Sequence, residues 1–174
     1  FTNTNVARRI LQRPRQATIA TTNLDGIILV STLLDEWLLS PVSIPIYLDV
    51  QGYIRDGSDF RKTKPFDIPP DVARCLTCVK ATEREAGLLD PTFIDAQKSR
   101  QLIITKGDNG VDLFIGRRQY SIPAEIVPNL PDTIGAGDTW FSAYLAYQFK
   151  GCNYLEAAQK ATAYTATFLS KKLT

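Results

Sequence analysis

The chain has 174 residues, about the length of one domain if a domain averages roughly 150 residues. With 44% hydrophobic and 22% charged residues, ten Gly and ten Pro, the composition is globular. It excludes a collagen, a disordered charged tail and a small disulfide scaffold. Twenty Lys and Arg against eighteen Asp and Glu leave a net charge of +2, too small a surplus to grip a polyanion, so no nucleic-acid partner is expected. No apolar run approaches the roughly 20 residues of a membrane-spanning helix, so no membrane partner is expected either.

In chain order, residues 26–30 read as a strand and residues 32–39 as a helix ended by Ser40-Pro41. Residues 44–50 read as a second buried strand, with Asp49 near its C-terminal end. Residues 51–71 carry Gly52, Gly57, Pro65, Pro69 and Pro70 among many charges and read as loop. A short helix over 70–74 precedes a third strand over 76–81. Thr82 and Glu85 then have the spacing of a capping box. Residues 102–105 form a fourth strand. Asp108-Asn109-Gly110 turns the chain into residues 111–115, and Arg117-Arg118 turns it again into 119–122, a small hairpin element.

The last forty residues read as two helices broken at Gly151. Trp140, Phe141, Tyr144, Leu145 and Phe149 make one apolar face. Tyr154, Ala158, Ala161, Thr165 and Phe168 make the other, with Ala157, Tyr164 and Leu169 beside it. Neither a repeat nor a linker interrupts the chain, so residues 1–174 read as a single α/β unit. The expected fold is a layered, mostly parallel sheet flanked by helices. Such sheets bind ligands beyond the carboxyl ends of their strands. The strand ends near Asp49, Ala81 and Thr105 are therefore expected to converge on the helix start near Ala136.

The residue types narrow the chemistry. The chain has no His, which removes Ser-His and Cys-His nucleophile systems and most zinc enzymes. A general base must then be a carboxylate, Lys, Tyr or Cys. It has no Met, so Phe1 is not expected to be a natural start. Three Cys are an odd number and point to a reducing, cytoplasmic setting. Cys75 and Cys78 form a CxxC that leads into a strand, where buried small hydrophobes are expected rather than a redox or zinc site. Arg8, Arg9, Arg13 and Arg15 make a basic stretch read as a solvated face.

The richest segment runs from Pro131 to Phe141 and contains Gly135-Ala136-Gly137-Asp138 at the start of a long helix. Two glycines let the backbone approach a ligand closely. The open N–H groups and positive dipole end of the helix suit anionic oxygen. Asp138 in the first turn serves either a ligand or the helix dipole alone.

The segment from Asp132 to Thr139 resembles the C-terminal signature of the ribokinase-like, PfkB-type sugar and nucleoside kinases. Three further segments fall in the order that family expects. Lys80-Ala81-Thr82-Glu83-Arg84-Glu85 resembles its Asn-x-x-Glu segment, and Thr105-Lys106-Gly107-Asp108-Asn109-Gly110 resembles its nucleotide-side turn. Leu48-Asp49-Val50-Gln51-Gly52-Tyr53 resembles the strand end facing the phosphate site.

The resemblance implies an ATP-dependent phosphotransferase that moves the γ-phosphate to a hydroxyl of a small sugar or nucleoside. Asp138 would be the catalytic base, and Gly135, Ala136 and Gly137 the anion hole. Thr105, Lys106, Gly107 and Gly110 would bind the nucleotide, a role competing with plain strand-to-hairpin turn chemistry. Glu85, with Thr82, would organise Mg²⁺ through water, or simply close a helix cap. Asp132 with the backbone around Ile134 would hold a monovalent cation such as K⁺, or simply shape a turn. A homodimer is an optional feature of the family.

Two departures stand out. Thr82 takes the place of the usual Asn, and nothing in the chain resembles the family's first glycine-rich strand or its substrate lid. The expectation is therefore the C-terminal, nucleotide-binding portion of such a kinase. The alternative is a nucleotide-binding pseudokinase, or a piece without turnover.

Overall fold

Parallel strands need long crossovers, and the spacing of the apolar runs supplies them in the first half of the chain. The computed structural model describes residues 12, 15–30, 32–59 and 62–173. The chain forms two compact units, Phe1–Ala96 and Gln97–Thr174.

In the first unit, β1 (Ala17–Thr18) pairs in parallel with β3 (Trp37–Leu38). A second parallel sheet has the order β2 (Ile27–Leu29), β4 (Ile46–Asp49), β5 (Leu76–Thr82). Leu76, Cys78, Val79, Lys80 and Ala81 are all buried, the near-continuous burial typical of a parallel strand covered on both faces. α1 (Pro70–Cys75) leads into β5, with proline favoured at its start because that position has no helical acceptor for an N–H.

The helix expected over residues 32–39 is absent. The amides of Leu33 and Leu34 donate to the Glu36 carboxylate at 2.8 and 2.6 Å. A local side-chain acceptor thus takes donors that a helix would need, and so short a helix has little cooperative gain to oppose it. Trp37 and Leu38 instead form β3.

A helix not expected from the sequence, α3 (Pro91–Lys98), follows the Thr82 turn. Asp90 Oδ1 accepts from the amides of Thr92 and Phe93 at 2.8 and 3.0 Å, and Pro91 begins the helix. Asp-Pro is a legible start signal, but the weak apolar pattern behind it hid the element. Cys75 ends α1, and Cys78 lies buried in β5, where burial pushes its thiol well up. All three cysteines are free. Of the basic N-terminal stretch, Arg8, Arg9 and Arg13 lie outside the described residues, and Arg15 is exposed.

The second unit opens with an antiparallel meander of β6 (Gln101–Thr105), β7 (Val111–Ile115) and β8 (Arg118–Ile122). The hairpin reading is thus borne out, with Gly116 and Arg117 in positive φ at the second turn. Two helices follow, α4 (Ala136–Phe149) and α5 (Tyr154–Ser170), packed on each other. Gly151 separates them at φ +90°, and the Asn153 side chain caps α5 by accepting from the Glu156 amide at 2.9 Å.

Their contact is built on Trp140, which stacks on Tyr144 at 5.1 Å and donates from Nε1 to Thr162 Oγ1 at 3.0 Å. Ala157, Ala158 and Ala161 are fully buried and let the helices approach. The apolar faces are narrower than the sequence pattern suggested. Phe149, Tyr154 and Tyr164 are exposed. Among the described residues no helix is long and apolar enough to cross a membrane.

Candidate functional site

In the first unit the candidate residues gather at the C-terminal ends of β4 and β5. These are neighbouring parallel strands whose register sets Asp49 opposite Lys80. Lys80 Nζ donates to Asp49 Oδ2 at 2.6 Å, with side-chain exposures of 3% and 0%. Asp49 Oδ1 accepts from the Gln51 amide at 3.1 Å and so caps the 3-10 turn Val50–Gly52. Burial pushes the Asp49 carboxyl up, and the Lys80 ammonium and the Gln51 amide pull it back toward ionisation. The sequence places Asp49 at a strand end but gives no sign that Lys80 is its partner, because 31 residues separate them.

At the last position of β5, Thr82 caps α2 (Glu83–Ala86). Its Oγ1 accepts from the Glu85 amide at 3.2 Å, and Glu85 Oε2 accepts from the Thr82 amide at 2.7 Å. The capping box read from the sequence is therefore complete. It holds the Glu85 carboxylate on the sheet-end backbone with Oε1 left for other work. Among the described residues no three His, Cys, Asp or Glu side chains form a direct metal cage.

In the second unit, Thr105 ends β6 and the turn Gly107–Asn109 carries the chain to Gly110. The Lys106 amide donates to the Gly110 carbonyl at 2.8 Å, and the Gly110 amide to the Gly107 carbonyl at 3.0 Å. Gly107 and Gly110 have φ of +56° and +82°, which explains glycine at both positions. Lys106 Nζ lies 2.9 Å from Asp112 Oδ1, which also accepts from Ser121 Oγ at 2.7 Å. Partial burial opposes ionisation of Asp112, but these hydrogen bonds outweigh it and hold the carboxyl below its ordinary value.

The Gly135–Gly137 segment forms the start of α4. Gly135 is the cap residue at φ +82°, a left-handed conformation, and being glycine it supplies no side-chain cap. The Ala136 amide turns back to the Thr133 carbonyl at 3.0 Å. Gly137 and Asp138 follow in the first helical turn, where a backbone amide has no acceptor within the helix itself. Asp138 is half-buried in the same turn.

Just upstream, Asp132 Oδ1 accepts from the Ile134 amide at 2.8 Å. It also takes Lys172 Nζ at 2.6 Å, and that ammonium donates to the Ile134 carbonyl at 2.6 Å as well. Hydrogen bonds from Lys172 and the Ile134 amide hold the Asp132 carboxyl below its usual range. Lys172 was not singled out in the sequence, being 40 residues from Asp132.

Several solved structures share the fold. A pyrophosphate-dependent myo-inositol-1 kinase converted into a myo-inositol-3 kinase superposes with a TM-score of 0.70 at 19% identity, over 86% of this chain and 58% of that one. Ribokinase of Arabidopsis thaliana, complexed with ribose and ATP, gives 0.58 at 21% identity over 72% of this chain and 41% of its own. A nucleoside kinase of Burkholderia thailandensis, in complex with inosine, gives 0.52 at 22% identity over 61% and 42%. The chain thus spans 41–58% of the length of these three proteins. No curated protein matches it by sequence. The match that settles kinship is one of sequence pattern, over residues 71–174, more than half the chain and including the Thr82–Glu85 cap, the Thr105–Gly110 turn and the Asp138 helix start: the chain belongs to the pfkB family of carbohydrate kinases.

Proposed function

We propose that the chain carries the nucleotide- and phosphate-handling portion of a kinase that transfers the γ-phosphate of ATP to a hydroxyl of a sugar, nucleoside or related small molecule. The observation that carries this reading is the start of α4. Its glycine cap brings no side chain, its first turn holds amides with no acceptor inside the helix, and a carboxylate stands in that same turn. Phosphoryl transfer needs positioning and charge stabilisation more than covalent chemistry from the protein. The Gly135, Ala136 and Gly137 backbone offers anion stabilisation, and Asp138 offers a proton acceptor for the attacking hydroxyl.

Thr105, Lys106, Gly107 and Gly110 form a tight turn whose backbone suits a nucleotide. Lys106 keeps two further N–H donors beyond its bond to Asp112. Mg²⁺ suits the oxygen donors of Glu85, which is fixed by its cap with Oε1 open, and a single carboxylate acting through water is ordinary for this cation. The metal would neutralise phosphate charge; Glu85 and Thr82 would orient its water shell. The ATP and ribose in the Arabidopsis ribokinase structure and the inosine of the nucleoside kinase support the donor and the acceptor class.

The test is Asp138→Asn in the full-length protein, which keeps size and polarity and removes the proton acceptor. kcat is expected to fall by about 10² to 10⁴ with ATP affinity little changed. A dipole partner alone would instead lose about 0.3–1 kcal/mol of stability and keep its rate. An Asp138→Asn protein with unchanged kcat ends the assignment, and ATP binding without turnover in the unsubstituted protein selects the pseudokinase reading.

A further inference from the structure

The loop entering α4 already holds a positive charge. Lys172 lies in the short 3-10 turn after α5, Lys171–Leu173. Its ammonium bonds the Asp132 carboxylate and the Ile134 carbonyl, both at 2.6 Å. The same ammonium sits 5.4 Å from the centre of the Phe168 ring, a cation–π distance. Phe168 in turn lies against Gly135, its Cζ 3.5 Å from where a β-carbon on that glycine would stand. One lysine therefore ties the turn after α5 to the carboxylate, the carbonyl and the ring that flank the glycine cap.

The resemblance to PfkB-type kinases leads one to expect a monovalent cation on Asp132 and the backbone around Ile134. The residues present do not fit that ion. The carboxylate oxygen and the carbonyl it would use are occupied by the ammonium of Lys172. A second monovalent cation on the same oxygens would meet like-charge repulsion at contact distance. An ammonium is also a monovalent cation of nearly the size of K⁺, and one tethered by the fold acts at an effective concentration that dissolved ions must otherwise supply.

We propose that Lys172 is this chain's own monovalent cation: its ammonium fills the Asp132–Ile134 position, fixes the loop entering the Gly135 cap, and makes dissolved K⁺ unnecessary. The purpose assigned to it rests on reading the α4 start as a phosphate site; its occupation of the position does not. With side chains 23% and 40% exposed for Lys172 and Asp132, the charge is partly screened yet close enough to the helix start to add to its positive end.

The experiment compares full-length wild type with Lys172→Met in KCl and in tetramethylammonium chloride at equal ionic strength. It reads thermal melting and the affinity for a non-hydrolysable ATP analogue with Mg²⁺. Wild type is expected to melt at one temperature in both salts and to bind nucleotide equally in both. Lys172→Met is expected to melt lower and bind more weakly in tetramethylammonium, and to recover roughly 2–4 °C in KCl as the vacated oxygens take up K⁺. A wild type that gains melting temperature or nucleotide affinity from K⁺ overturns the proposal. So does a Lys172→Met protein indistinguishable from wild type in tetramethylammonium. Should Lys172→Met not fold, the wild-type salt comparison decides alone. Absence of nucleotide binding by wild type in both salts defeats the phosphate-site reading and leaves the melting comparison to judge the cation.

Discussion

Two glycines in one turn show how differently the same letter is constrained. At Gly110, φ is +82° and ψ is −139°, and a β-carbon would stand 2.1 Å from the Ile122 carbonyl oxygen and 2.8 Å from the Ala124 amide nitrogen. Both obstacles are backbone of the segment ending β8, so neither can swing aside. At Gly107, φ is +56° and nothing lies within 4 Å of a β-carbon. Gly107→Ala should therefore cost only the left-handed backbone, about 1 kcal/mol. Gly110→Ala should cost at least about 1–3 kcal/mol from the backbone alone, with the clash added. Urea midpoints for the two variants measure the contrast, and equal shifts would show the turn to be softer than its geometry implies. The sequence shows both as members of one turn motif and cannot rank them, because the obstacle at Gly110 comes from a strand end twelve residues on. Asp132 shows the same limit, since its carboxylate is visible in the sequence but its partner Lys172 is not.

Among the elements, β4 and β5 are joined by more than their ladder. The Asp49–Lys80 pair is buried at the strand ends from which the Val50–Gly52 turn and the Thr82 cap depart. Its geometry locks which residue of β4 faces which of β5, and a slip of one residue in either strand would carry its charge to the opposite face, away from its partner. Removing one partner leaves the other charged and dry. Lys80→Met is expected to destabilise by about 3–5 kcal/mol, and adding Asp49→Asn should recover much of that loss. Urea denaturation of both single variants and the double variant closes the cycle; a purely additive result would show the pair to be uncoupled. At this scale the sequence was most legible where period and length agree, in β4 to β7, α4 and α5. It failed where a side chain intercepts the backbone, as Glu36 does to the amides of residues 33 and 34. It failed again at α3, where a cap signal was present but the apolar stripe was reduced to Phe93 and its neighbours. The candidate site was legible as segments because its turns and caps are local in sequence. The ion pairs that brace those segments are long-range and were not.

For the whole molecule, a net charge of +2 gives no field able to collect a polyanionic nucleotide. On the function proposed above, affinity for one would come from local devices: the amides at the start of α4, the Thr105–Gly110 turn, and the Glu85 carboxylate acting on a metal's water shell. All of these lie within the 174 residues, while the chain spans 41–58% of the three structural relatives. Nucleotide binding and turnover are therefore expected to separate when this chain is made by itself. Calorimetry should find it binding a non-hydrolysable ATP analogue in the presence of Mg²⁺, with affinity lost on chelation of the metal. Added NaCl should weaken binding only modestly, because the attraction acts at contact range, inside the screening length of about 10 Å at 0.1 M salt. Phosphorylation of a panel of sugars and nucleosides should be slow or absent by comparison. Cooperative melting must first establish that the sample is folded. A folded chain that takes up no nucleotide would mean that the α4 start is only a well-capped helix, and that the phosphate-handling reading of its glycines and of Asp138 is wrong.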